Sequence, residues 1–221
     1  MPPDRLTEVM RGAPTSRNFT AQPVDPGALR RALDNARFAP SGGNRQGWRV
    51  IVITDRDTRR RMRELYAPHW AAYMERTGGR AVLAAGEASG LSAGRLKGIR
   101  EADAFAGRFD EVPVHLVLLV ALDALVITDA ELDRPSVVAG ASVYPFVQNL
   151  LLALRHEELG AAFTTLLVPA EPEIKTLLEI PDGFAMAGHI CVGHRADAWP
   201  RRLSRRPVEE FAFGERFGAP W

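Results

Sequence analysis

The run VHLVLLVAL, from Val114 to Leu122, is the feature that most restricts how this chain can fold. A strand sends successive side chains to opposite sides, so an unbroken apolar run reads as a strand buried on both faces. Three other segments read as strands. WRVIVIT, Trp48 to Thr54, is rich in β-branched residues, and Ala161–Leu167 and Ala185–Val192 are shorter. Helical patterns alternate with them. Asp4–Arg11 is a short one. Asp25-Pro26 supplies an N-cap and a first-turn proline for a helix reaching Phe38. Asp55 caps a helix that runs to about Glu75. Ser136–Leu159 reads as one long helix with an apolar stripe, closed by Gly160, and Glu171–Leu178 as a last one. The class is therefore α+β or α/β. Residues 76–111 are glycine-rich and weakly periodic, and read as a mobile excursion with one or two helices.

Charge and cysteine content narrow the function classes. The 28 basic and 27 acidic side chains leave a net charge of +1, which argues against a general nucleic-acid binder. Cys191 is the one cysteine, so no intrachain disulfide forms, as fits a reducing cytoplasm. The start, MPPDRLTEVMRGAP, lacks the apolar core of a signal peptide. Pro135–Leu154 carries no charge but holds two prolines and two serines, which suits a buried soluble helix better than a membrane span.

No GxGxxG follows the first strand and no GxxxxGK[ST] loop is present, so neither nucleotide fingerprint is supported. Four other segments carry usable chemistry. Thr15-Ser16-Arg17-Asn18-Phe19 combines hydroxyls with an arginine. APSGGNRQGW, Ala39 to Trp48, offers glycines for close backbone approach and Ser41, Asn44 and Gln46 as polar partners for a heterocycle. ELGAAFTT, Glu158 to Thr165, is a tight helix-to-strand turn. RRLSRRPVEE, Arg201 to Glu210, presents guanidinium forks suited to a phosphate monoester. Each has a bland reading as an ordinary loop or a solvated basic turn.

Together, in this order, they resemble the nitroreductase family of FMN-dependent oxidoreductases, from about Arg11 to the C-terminus, its actinobacterial branch most closely. ARFAPSGGNRQGWRVIVI resembles the signature A-P-S-x-x-N-x-Q-P-W-x-F-x-V, and TSRNF resembles R-S-x-R-x-F. VQNLLLAL running into ELGAAFTT, and RRPVEE, complete the match. The resemblance implies a single α+β sandwich domain whose central, mostly antiparallel sheet is flanked by helices. It implies an intertwined homodimer with FMN at the subunit interface. It also implies ping-pong transfer of hydride from NADH or NADPH to a small-molecule acceptor such as a nitroaromatic or quinone. Arg17 then stands at a ribityl-phosphate contact and Thr15 at a serine position. Ala13 and Pro14 replace arginines, a loss for which Arg11 is the candidate substitute. Ser41, Gly42, Asn44 and Gln46 correspond to polar flavin contacts, some supplied across the interface, while Gly47 replaces a proline. Leu159 and Gly160 correspond to backbone lying against the flavin. Arg205 corresponds to the C-terminal phosphate arginine, and Arg206 is its neighbouring candidate. Residues 76–111 would form a substrate lid, and residues 207–221, with Phe211, Phe213, Phe217 and Trp221, would embrace the partner. The flavin carries the hydride, so no protein nucleophile or acid–base pair is required. A cation or backbone donor near N1 and O2 would raise its potential.

Three alternatives remain beside this reading. Family members that fragment flavin or remove halogen share these motifs, and a flavin-binding protein without enzymatic activity would too. A metal site would draw on His189, Cys191 and His194, although His115 and His156 are distant in sequence and four ligands are the norm. Ile190 and Val192 flank Cys191, as suits a buried, unreactive thiol. Tyr66, His69, Trp70 and Tyr73 lie at helical spacing and read as core or interface, with one available to stack on a substrate.

Overall fold

The computed structural model describes residues 6–221. Of the first expected helix, Asp4 and Arg5 lie outside that range, and Leu6–Arg11 form α1. The fold is α+β. Strands β1 (Trp48–Ile53), β2 (Val114–Ala121), β3 (Gly160–Thr164) and β4 (Phe184–Gly193) make one sheet in the order β1-β2-β4-β3, with every neighbouring pair antiparallel. The expected double burial of β2 is observed, since Val114 to Val120 are all buried.

Alternation along β2 assigns the two layers. Val114, Leu116, Leu118 and Val120 face α2 (Pro26–Ala36) and α6 (Tyr144–His156). Val117 and Leu119 face the other layer, built from α3 (Arg56–Arg76), α5 (Ala93–Gly107) and α7 (Glu171–Leu178). The short α4 (Gly79–Ala85) packs against α3. Both anticipated caps form: Asp25 accepts from the Gly27 and Ala28 amides, and Asp55 from that of Thr58. Residues 76–111 are thus α4, α5 and short 3-10 turns.

The long helix differs from the sequence expectation at both ends. The long helix starts at Tyr144, not Ser136. In a helix begun at Ser136, Pro145 would sit in the interior, where its ring clashes with the preceding turn and its missing N–H breaks the ladder. Pro145 occupies the first turn instead. Residues 122–143 form turns organised by the buried Asp129. It accepts from Ser136 Oγ at 2.7 Å and the Val137 amide at 2.9 Å, and pairs with Arg134 at 2.7 Å. Those bonds, the Ser136 hydroxyl foremost, hold its carboxyl down to about 2. At the far end, Glu158 takes the left-handed turn with φ +58°, and Gly160 opens β3 rather than closing the helix.

The second layer contains an unexpected polar cluster. His115 pairs in register with Cys191, and His189 lies on the same face, all fully buried. Their ligand-type atoms lie within 4.8 Å of one another. His115, distant in sequence, therefore stands beside His189 and Cys191 where the sequence pointed to His194. His115 Nε2 donates to the Phe109 carbonyl at 3.0 Å. His189 has no hydrogen-bond partner on either ring nitrogen among the described residues. The Arg59 guanidinium lies close enough to act on the cluster electrostatically. Burial, with Arg59 adding to it, drives His115 down to about 3, and burial lowers His189 well below its ordinary value. Burial raises the Cys191 thiol, so it stays protonated.

Both imidazoles are neutral in the fold but protonate near 6.5 once the chain unfolds. The stability they preserve is complete above that value and is lost as pH falls toward about 3. Below pH ~6.5 each should remove about 1.4 kcal/mol of unfolding free energy per pH unit. Denaturant unfolding at several pH values between neutral and mildly acidic, on wild type and His189→Leu, reads this slope. The variant should show roughly half of it; equal slopes contradict the account.

Candidate functional site

The site begins with the segment Thr15–Thr20, which runs from the open edge of β3 to the chain just beyond β4. Thr15 bridges Ala161 in parallel, and Phe19 bridges Arg195 in antiparallel fashion. The Ser16 amide donates to the Ala161 carbonyl at 2.8 Å, and the Thr20 amide to that of His194 at 2.8 Å. Ser16 is fully buried, and its Oγ accepts from Arg195 Nη1 at 2.8 Å. Arg195 also donates to the Ala198 carbonyl and lies over the Trp199 ring at 4.8 Å. Arg155 covers Trp199 too, at 3.9 Å, and its Nε reaches the Gly12 carbonyl at 3.2 Å. Two cations on one indole tie the N-terminal segment to the chain beyond β4. With Ser16 turned inward, alternation turns Thr15 and Arg17 away from it.

Thr15 and Arg17 border a cavity of about 620 Å³ between β3 and the helices of the second layer. Thr164 lies beside them, and Tyr66, Trp70 and Tyr73 of α3 form the opposite wall at helical spacing. Trp70 is fixed by its indole N–H, which donates to Asp103 Oδ1 at 2.8 Å. Tyr66 stacks on Phe109 with centroids 4.5 Å apart. Burial pushes the Tyr66 phenol up to about 12, against the hydrogen bond with Thr164, so it stays protonated. The Arg17 guanidinium is half-buried and makes no hydrogen bond or ion pair among the described residues. A guanidinium carries five donors and no acceptor. One held without a protein partner on an aromatic-walled cavity fits a planar ligand bearing anionic or carbonyl oxygens.

The other sequence candidates lie elsewhere on the chain. Ser41 and Gly42 border a second cavity, of about 580 Å³, with Leu125, Val126 and Ser142. The loop is tightly wound: Asn44 and Gln46 have φ of 54° and 49°. The Gln46 amide N–H donates to the Ser41 hydroxyl and its Nε2 to Asn44 Oδ1, each at 3.0 Å. Such left-handed non-glycine residues store strain that recurs at ligand clamps. Arg11, Arg205 and Arg206 are exposed, in α1 and the C-terminal tail. Arg205 donates to the adjacent Ser204 carbonyl, and Arg206 faces Glu210 at 3.8 Å. A single chain therefore brings Thr15 and Arg17 together, and leaves the loop and the tail arginines apart from them.

Leu159 and Gly160 sit at the entry to β3. Leu159 is buried in the first core layer, and neither residue borders the Arg17 cavity. A Cβ on Gly160 would meet Arg195 Cγ at 2.6 Å and Ser16 Oγ at 2.8 Å. The glycine admits the Ser16–Arg195 contact; Ala162, Thr164 and Leu166 face the cavity instead. Ser16 and Thr164 lie within two of the segments with usable chemistry, whereas Arg195 lies in none. Their pairings span up to 179 residues, and no local spacing signals them.

A family model described as the nitroreductase family matches residues 10–194. A 5,6-dimethylbenzimidazole synthase of Rhodobacter capsulatus is 28% identical over 192 residues, covering 86% of this chain and 83% of that protein. Among solved structures, oxidised iodotyrosine deiodinase bound to FMN and 3-iodo-L-tyrosine gives a TM-score of 0.67 at 24% identity, covering 92% of this chain and 96% of its own. An FMN and NADPH-dependent nitroreductase from Sphigopyxis sp. strain HMH gives 0.68 at 21% identity, covering 96% and 100%. At these identities the structural likeness concerns the fold.

Arg195→Ala removes the buried donor to Ser16 and one face of the Trp199 stack. It should cost about 2 kcal/mol of stability and speed hydrogen exchange at the Ser16 amide more than in the β2 core. Unchanged protection at Ser16 would contradict its role as the anchor.

Proposed function

The chain belongs to the nitroreductase family, and from that premise we propose that it is an FMN-dependent oxidoreductase. It takes hydride from NADH or NADPH and passes electrons to a small unsaturated acceptor, such as a nitroaromatic or quinone, in a ping-pong cycle. The observation that carries this reading is the unpartnered Arg17 on the aromatic-walled cavity beside β3. FMN, when bound, supplies the hydride chemistry, which needs no protein nucleophile. Arg17 and Thr15 hold the ribityl-phosphate side. The guanidiniums of Arg205, Arg206 and Arg11 supply fork-shaped contacts for the phosphate.

The scattered loop and tail residues fit a homodimer, in which Ser41, Gly42, Asn44 and Gln46 serve the neighbouring protomer's site. The tail supports this: Phe217 and Trp221 are 95% and 88% exposed on the single chain, an apolar surface that calls for a partner. Residues 76–111 act as the lid over the acceptor. No described helix is long and apolar enough to cross a membrane, and a single reduced cysteine suits work in the cytoplasm.

Flavin fragmentation is a second reading, favoured by the similarity to a 5,6-dimethylbenzimidazole synthase. Steady-state assays separate the two. Acceptor-dependent oxidation of NADH or NADPH, with flavin absorbance recovered afterwards, supports reduction. Irreversible loss of flavin absorbance under oxygen, without acceptor turnover, supports fragmentation.

Arg17→Gln should weaken FMN binding roughly ten- to a hundredfold, as befits a lost charge-assisted bond. A flavin-fluorescence titration that gives the wild-type Kd would contradict the placement. Wild type should elute at twice 24.3 kDa by light scattering, and a chain ending at Arg206 should shift toward monomer. A truncated chain that stays fully dimeric would remove the tail from the interface.

A further inference from the structure

The Arg17 cavity has an electrostatic character that an unselective acceptor site would not need. Two guanidiniums border it, Arg17 and Arg95, and no Asp or Glu does. Of the two acids on α5, Asp103 accepts from the Trp70 indole at 2.8 Å and lies 3.8 Å from Arg80, and Glu101 faces Lys97 at 3.6 Å. Arg95, like Arg17, makes no side-chain hydrogen bond or ion pair among the described residues. Its backbone position makes it more notable. Ser92 caps α5, so Arg95 sits in the first helical turn, where the macrodipole is positive and a cation is disfavoured. The helix gains nothing from an arginine there. The potentials of the helix end and the side chain add, and both favour an anion.

The rest of the wall is flat and apolar. Trp70 and Tyr73 contribute ring surface from α3, and Ile99 and Phe105 contribute from α5. A Cβ on Gly98, which also borders the cavity, would meet nothing within 4 Å, so the space beside Arg95 is open. We propose that the acceptor site selects planar aromatic compounds bearing an anionic substituent, a carboxylate or phenolate, and that Arg95 is the residue that reads that charge. The inference rests on the reading that Arg17 is taken up by the cofactor, which leaves Arg95 as the free cation. Arg95 is exposed at the cavity rim, so the selection is moderate and screened by salt.

The test compares 4-nitrobenzoate with its uncharged methyl ester on the FMN-loaded protein, as a ratio of kcat/KM values. That ratio cancels general damage to folding or flavin content. Wild type should favour the anion, Arg95→Gln should lower the ratio roughly three- to tenfold, and Arg95→Lys should retain most of it. Raising the salt concentration should shrink the wild-type preference and leave the Arg95→Gln ratio almost unmoved. A wild-type ratio near one, or an unchanged ratio in Arg95→Gln, overturns the proposal. Should neither compound be reduced, the oxidoreductase reading fails, and quenching of tryptophan fluorescence by 4-hydroxybenzoate and by 4-hydroxybenzyl alcohol still decides this one. Tighter binding of the benzoate that Arg95→Gln abolishes supports charge selection, and equal binding of the two overturns it.

Discussion

A strand with no exposed face dictates most of this architecture. Val114 to Val120 are buried on both sides of β2, so neither surface of the sheet can be left to water. Helices α2 and α6 cover one side with an alanine- and leucine-rich stripe. The other side needs α3, α5 and α7, which reach it from two separate stretches of chain. The long detour through residues 76–111 is therefore part of a structural cover as well as a wall of the cavity. The cavity lies at the β3 side of that cover, with Ala162 and Thr164 on the sheet and the α3 aromatics opposite.

The polar interior is handled differently in the two regions where it occurs. Beside β3, Ser16 and Arg195 satisfy one another, and the Trp199 stack shares the charge of two arginines with a ring face. With Ser16 held inward against Arg195, alternation leaves Arg17 on the cavity side. Between the sheet and α3, His115, His189 and Cys191 are buried with few partners. They are held neutral, which the interior permits at neutral pH and ceases to permit as protons become available.

Much of the framework was legible in the sequence because its signals are local. The β2 run, the Asp25-Pro26 start and the Asp55 cap each depend on neighbouring residues, and each forms as read. The misreadings have local causes as well. The charge-free stretch before Tyr144 has helical composition, but Pro145 forbids an interior position there. Gly160 reads as a helix stop, whereas Glu158 takes the left-handed turn and the glycine makes room for Ser16. His115 is far from Cys191 in sequence yet pairs with it across strands, because sequence distance says nothing about cross-strand register. The candidate site was legible as residue types only. Arg17 and Thr15 share a cavity, while the Ser41–Gln46 loop and the tail arginines lie elsewhere on the same chain.

The most direct test of the flavin reading is the visible spectrum of the purified protein, recorded without oxygen before and after NADH or NADPH is added. An oxidised-flavin spectrum that bleaches with one of the donors is the expected result. A protein that is colourless, and that fails to take up added FMN, would contradict the assignment of the Arg17 cavity to a flavin.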